Sequence, residues 1–310
     1  MLPIDLTSES MRMAIGEIGN VAVIGLGQMG LPMALNLQKA GLETFCFDPS
    51  SMATEQATSR GLSVVADVES AFREATFVVL SLPNADIVKT VVETGLTGLS
   101  ENAPAPIVID ASTSTAEMTR HLAPKLRERG GDLVDAPVSG GPTGSRDGTL
   151  TFMVGGEAAA IDRCRPIFDI LGKTVLVAGP TGAGNVAKLV NNLMVAGHML
   201  IARDAMALAK ASGLDLEAAL EVVNAASGGS TISKVHFPGW VVPRSFDSGF
   251  TMALMRKDLR LADELAAESG LSLPIGTQVV SLWNEGNAPA DEEDFTRMGD
   301  PQPLLNSENT

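Results

Sequence analysis

With 310 residues, 45% of them hydrophobic and 19% charged, the chain is globular and long enough for two cores. Its net charge of −15 opposes unspecific binding to nucleic acid or to an anionic membrane, yet leaves a small anionic ligand open to local donors. Two cysteines, Cys46 and Cys164, and three scattered histidines, His121, His198 and His236, exclude a disulfide framework and a catalytic zinc site and suit a reducing cytoplasm.

Residues 1–19 include Asp5, Glu9, Arg12 and Glu17 and lack an apolar segment, so they are not a secretory signal. They read as a tail, with Met11 and Met13 as later candidate starts. No run reaches the ~18 uncharged apolar residues that a membrane span needs.

The first element is VAVIG (21–25), a short β-branched run suited to a buried parallel strand. Gly25-Leu26-Gly27-Gln28-Met29-Gly30 follows, and MALNLQKAG then has helical spacing with a stop at Gly41. Strand, glycine turn and helix in that order predict a tight turn that lets a pyrophosphate approach backbone amides at a helix N-terminus. The next strand, TFCFD, ends in Asp48, where a carboxylate can accept from both hydroxyls of a ribose. Pro49 and Ser50 follow it and no arginine is adjacent, which favours NAD, with NADP as the second choice.

FVVLSLP (77–83), PIVIDAST (106–113), DLVDAPVSG (132–140), LTFMVGG (150–156) and VLVAG (175–179) read as further strands, with helical segments between them. That alternation predicts a Rossmann-type doubly wound parallel sheet, an α/β architecture. Leu82, Pro83 and Thr113 fall at strand ends facing the switch point, where cofactor contacts are expected. Ser139, Gly140 and Gly141 offer a hydroxyl and successive backbone N–H groups, able to cup a carboxylate.

GPTGAG breaks the chain, and beyond it only helical periods appear. The expected division is a tail over 1–19, a dinucleotide-binding domain over 20–181, and an all-helical domain for substrate and dimerisation over 182–310. The terminal run DEEDFTRMGDPQPLLNSENT reads as frayed and acidic. Within GAGNVAKLVNN, Lys188 stands alone among uncharged residues at the start of a long apolar helix. A lysine is seldom buried unless something pairs with it or uses it. Asn192, four residues on, shares its face, while Asn191 is turned about 60° away.

The stretches GLGQMGLPMALNLQKAG, DAST, DAPVSGGPTGSRDGTLTFMVGG, GAGNVAKLVNN and RKDLRLA run in order from about residue 20 to 285 and resemble the β-hydroxyacid dehydrogenases. Through DAPVSGG, GTLTFMVGG and KDL the resemblance is closest to the 3-hydroxyisobutyrate dehydrogenase branch. It implies NAD-dependent oxidation of a small anionic hydroxyacid, with Lys188 as acid/base and Asn192 as its partner at the substrate. It also implies that Ser139, Gly140 and Gly141 hold the substrate and that Lys257 reaches the cofactor. A homodimer or homotetramer is expected, because the helix over 185–211 is apolar on more than one face. The segment SGGSTISKVHFPGW departs from the aromatic-rich pattern of 3-hydroxyisobutyrate dehydrogenases, which leaves tartronate semialdehyde reduction as an alternative. An imine reductase would share the fold, but such enzymes typically lack this lysine. A cofactor-binding regulatory protein without turnover would have no need of Lys188, Asn192 and Ser139 together.

Overall fold

The computed structural model describes residues 19–306, so the tail expected over 1–19 lies, but for Gly19, outside the described residues. The chain divides into two compact units, residues 1–188 and 189–310. The clustering of contacts changes over inside a helix, a few residues after the GPTGAG segment.

Among the described residues of the first unit, nine strands form one sheet: β1 (Val21–Ile24), β2 (Thr44–Phe47), β3 (Ser63–Val64), β4 (Phe77–Leu80), β5 (Ile107–Asp110), β6 (Asp132–Asp135), β7 (Val138–Ser139), β8 (Leu150–Gly155) and β9 (Gly172–Gly179). The order β3-β2-β1-β4-β5-β6 is parallel throughout, as a doubly wound sheet requires. Val21 and Val23 pack into one hydrophobic cluster and Ala22 and Ile24 into another, so β1 is buried on both faces. That is why VAVIG shows no polar alternation. Each of the valine and isoleucine side chains contributes roughly 1.5–3 kcal/mol by leaving water.

The helices of this unit are α1 (Gly30–Lys39), α2 (Ser51–Ser59), α3 (Val68–Glu74), α4 (Ala85–Thr97), α5 (Ala116–Arg127), α6 (Gly141–Asp147), α7 (Ala158–Leu171) and the start of α8 (Ala183–Ala211). Their starts follow local chemistry: the side chains of Ser50, Asp67, Asn84 and Thr115 each accept from a backbone N–H of the first turn.

Two parts of the sheet differ from the sequence expectation. The stretch 132–140 is not one strand, because Pro137 has no N–H to continue the parallel ladder. The chain leaves β6 there, and β7 pairs with β8 as Val138 with Phe152 and Ser139 with Thr151. β8 also runs antiparallel to β6, where the apolar run LTFMVGG had suggested another parallel strand.

The second unit holds the rest of α8, then α9 (Leu216–Ala225), a π-helix (Ile232–Val241), α10 (Met252–Glu268), α11 (Pro274–Trp283), a 3₁₀ turn (Phe295–Gly299) and α12 (Gln302–Asn306). Its core gathers Met199, Phe237, Met255, Leu259 and Trp283. The acidic end is not wholly frayed: Phe295 and Met298 are buried in that core, and Phe295 meets the Phe250 ring edge-on at 5.5 Å. Among the described residues no helix is long and apolar enough to cross a membrane.

Candidate active site

The carboxyl ends of β1, β2, β4 and β5 carry the residues expected at a dinucleotide. Gly25 follows β1 with φ of +92°, and a Cβ there would fall 2.3 Å from the Ser81 carbonyl oxygen. A Cβ on Gly30 would fall 1.8 Å from the Gly25 carbonyl oxygen, so both positions are closed by the protein's own backbone. Gly27 is different: a Cβ there would meet nothing within 4 Å. Its lack of a side chain serves open space, which suits an approaching pyrophosphate. Gln28 is exposed beside it and Met29 is half-buried at the start of α1.

Asp48 stands just beyond β2. Its Oδ2 accepts the Leu26 N–H at 2.7 Å and its Oδ1 accepts the Ser50 N–H at 2.8 Å. The carboxylate is thereby aimed, and each oxygen keeps a second lone pair for a hydroxyl. After β4, the Leu82 N–H donates to Ser112 Oγ at 2.9 Å, with the exposed Pro83 next in the chain. The Ser112 N–H and Ser114 Oγ in turn donate to the two oxygens of Asp110, at 3.0 and 2.8 Å. This brace holds the loop that carries Thr113. Burial pushes Asp110 up to about 6, partly opposed by the Ser112 and Ser114 hydrogen bonds.

Ser139 ends β7, and Gly140 and Gly141 take φ of +123° and +60° as the chain turns into α6. L side chains rarely adopt either conformation. From α6 the buried Ser145 donates through Oγ to the Met29 carbonyl at 2.6 Å. The serine–glycine segment is thus tied to the glycine turn. Lys188 meets the same segment: it is 7% exposed, and its Nζ donates to the Val138 carbonyl at 2.9 Å. A primary amine held at the carbonyl one residue before a serine and a glycine turn can help to hold a carboxylate and exchange a proton with a substrate hydroxyl.

One turn beyond Lys188 on α8, Asn192 is buried, and its Nδ2 donates to Asp258 Oδ2 at 2.5 Å. Asn191, half-buried, donates through Nδ2 to Asn192 Oδ1 at 3.0 Å. On α10, the Lys257 ammonium lies 3.6 Å from Asp258 Oδ1. Asn192, Asp258 and Lys257 therefore form one polar group within the second unit.

Sequence reasoning missed Asp110, Ser145 and Asp258 in these networks, and the buried Asp135. Asp110 and Asp135 are the last residues of β5 and β6, and burial at 0% exposure, which the sequence does not show, distinguishes them from Asp48 just beyond β2. Asp258 sits in the charged run RKDLR, which reads as a solvated helix face. Ser145 has no flanking pattern that marks it.

The wider comparisons agree along the chain. Residues 20–179 match the profile of the NAD binding domain of 6-phosphogluconate dehydrogenase. Residues 182–300 match that of the NAD-binding region of NADP-dependent 3-hydroxyisobutyrate dehydrogenase. The NAD-dependent L-serine dehydrogenase of Pseudomonas aeruginosa is 38% identical over 293 residues, 91% of this chain and 98% of the relative. The 2-(hydroxymethyl)glutarate dehydrogenase of Eubacterium barkeri is 34% identical, with 86% and 89% of the two chains covered. The solved structure of Mycobacterium tuberculosis 3-hydroxyisobutyrate dehydrogenase with L-serine superposes with a TM-score of 0.84 at 31% identity, covering 92% of this chain and 99% of that one. With both domain profiles matched in order and relatives aligned almost end to end, the chain belongs to the β-hydroxyacid dehydrogenases, oxidoreductases that act on a CH–OH group with a nicotinamide dinucleotide.

Proposed function

We propose that the protein reversibly oxidises the primary alcohol of a small hydroxyacid, HOCH₂–CHR–COO⁻, to the semialdehyde, with NAD as cofactor and 3-hydroxyisobutyrate (R = methyl) as substrate. The relatives' names support the class: serine has R = NH₃⁺, and 2-(hydroxymethyl)glutarate has R = CH₂CH₂COO⁻. Glycerate, the product of tartronate semialdehyde reduction, has R = OH. All share a hydroxymethyl group on the carbon that bears the carboxylate.

Bound NAD supplies a hydride acceptor for the carbinol carbon. The remaining work falls to this chain. Ser139, Gly140 and Gly141 hold the carboxylate, and Lys188 as the neutral amine takes the hydroxyl proton and returns it in the reverse direction. A general base must shed its own proton at working pH, and burial removes the water that stabilises an ammonium. Asn192 steadies the hydroxyl. Asp48, the turn from Gly25 to Gly30, Leu82, Pro83, Thr113 and Lys257 serve the cofactor. The observation that carries this reading is Lys188 Nζ donating to the Val138 carbonyl at 2.9 Å, one residue before the serine–glycine segment.

A second reading, L-serine oxidation, is favoured by the 38% identical relative and by the departure at SGGSTISKVHFPGW. NADH formation with 3-hydroxyisobutyrate, L-serine, glycerate and 2-(hydroxymethyl)glutarate tests both. The highest kcat/KM is expected for 3-hydroxyisobutyrate. A tenfold preference for serine moves the assignment to the second reading, and no NADH with any of the four removes the class.

A homodimer or homotetramer accompanies the activity. Val190, Met194, Ile201 and Leu208 are 56%, 54%, 64% and 69% exposed, and their spacing lines one side of α8. A stripe of that kind marks an association surface more often than a solvated one.

A further inference from the structure

We propose that Asp135 is a positioning residue for Lys188: its carboxylate seats the first turn of α8 and so fixes where the lysine ammonium meets the segment Val138–Gly141. The proposal rests on the reading of Lys188 as the acid/base group.

Asp135 is the last residue of β6 and is fully buried. Its Oδ1 accepts the Gly182 N–H at 2.8 Å and its Oδ2 accepts the Asn185 N–H at 3.0 Å. Backbone N–H groups at a helix start have no partner within the helix, and a carboxylate there also meets the positive end of the helix dipole. Burial pushes the Asp135 carboxyl above the usual carboxylate range, while these backbone donors oppose that push.

The seat leaves no room for movement. A Cβ on Gly155 would fall 2.6 Å from the Gly184 nitrogen and 2.7 Å from Asp135 Oδ2. One on Gly184 would fall 2.4 Å from the Met153 carbonyl oxygen. From the other side, Asn185 Nδ2 donates to Thr119 Oγ1 at 2.8 Å. Lys188 follows Asn185 by almost one helical turn, and its Nζ returns to the Val138 carbonyl at 2.9 Å. The stretch Asp135–Val138 is thus tied to α8 at both ends, by the carboxylate at residues 182 and 185 and by a carbonyl at residue 188. A shift of the helix start would carry the amine away from the serine–glycine turn without disturbing Asp48 or the turn at Gly25.

A double-mutant cycle tests this. Asp135→Asn, Thr119→Val and Lys188→Ala are made singly, and each of the first two is combined with the third. The readouts are kcat with the preferred hydroxyacid, the NADH dissociation constant by fluorescence, and thermal melting. Asp135→Asn is expected to lower kcat by about 10- to 100-fold, since ångström-scale misplacement of a reacting group has effects of that order. NADH binding should change by less than about 3-fold. In the Lys188→Ala background the same substitution should lower kcat by less than about 3-fold, because groups acting as one unit are not additive. Thr119→Val, which removes the Asn185 side-chain tether and leaves the carboxylate in place, should repeat the pattern in weaker form, which keeps the test open if Asp135→Asn does not fold. Equal losses in both backgrounds, or loss of NADH binding in parallel with kcat, would reduce Asp135 to a general stabiliser and overturn the proposal. Near wild-type turnover by Lys188→Ala alone would remove the lysine's role itself, an outcome separate from failure of the seat.

Discussion

Lys188 ends in an amine and yet is only 7% exposed, an unusual place for a lysine that its uncharged surroundings in the sequence already signalled. Lys188→Ala should lower kcat by about 10²- to 10⁴-fold, the usual worth of positioned acid–base catalysis, while NADH binding survives. Lys188→Arg should not restore the rate, because arginine keeps the charge but does not give up its proton. An arginine variant with near wild-type turnover in a steady-state assay would show that only charge is needed. Asp110 was not legible, since an acid at a strand end reads alike whether it faces solvent or core. Its pKa is pushed up from 3.8 to about 6, so the folded state binds a proton more tightly than the unfolded chain. Stability therefore falls as pH rises from about 4 through 6 and stays lowered above that, by roughly 3 kcal/mol if the whole shift is expressed. Asp110→Asn lacks that titration. The difference in urea midpoint, wild type minus variant, should decline between pH 4.5 and 7.5, and a flat difference would contradict the assignment.

At the scale of elements, strand–turn–helix alternation was enough to fix the doubly wound sheet, because parallel strands buried on both faces leave a continuous apolar signature. Strand direction leaves no such signature, so β8 could not be distinguished from its parallel neighbours. The π-helix was hidden for a different reason: Pro238 and Gly239 within Ile232–Val241 argue against any helix on propensity alone. If Asp48, just beyond β2, holds the adenosine ribose as proposed, a 2′-phosphate would bring negative charge against its carboxylate. NAD should show at least about a tenfold higher kcat/KM than NADP, and Asp48→Ser should narrow the ratio, since like-charge juxtaposition costs a kilocalorie or more. A wild-type preference for NADP would remove Asp48 from the ribose. On α8, Ile201 and Leu208 are the most exposed members of the apolar stripe, at 64% and 69%. The double variant Ile201→Glu, Leu208→Glu should lower the mass seen by analytical ultracentrifugation to that of one chain. An unchanged oligomer would place the subunit contact elsewhere.

For the whole molecule, the net charge of −15 acts against the proposed ligands, a carboxylate and a dinucleotide. Donors such as the Ser139–Gly141 turn must overcome a long-range repulsion that the rest of the surface creates. Screening shortens the reach of that repulsion from about 30 Å at 0.01 M salt to about 8 Å at 0.15 M. kcat/KM should therefore rise by about 2- to 5-fold over this range in sodium chloride, opposite in sign to electrostatically steered association. A decrease would mean that a local positive field outweighs the total. The family was legible at this scale because its motifs recur in order over nearly the full length. The two compact units meet within α8, at Lys188 and Leu189, where an uninterrupted helix offers no composition shift.

Gly27 has a consequence for how variants of this chain would fare under selection. Alanine at 25 or 30 collides with the protein's own backbone, whereas alanine at 27 enters empty space. A library sorted for soluble, heat-resistant protein should purge alanine at 25 and 30 and let it drift at 27. The same library sorted for turnover should purge it at all three. The gap between the two profiles would map the ligand's footprint without any ligand in hand, separating residues that answer to the fold from those that answer to what the fold is for.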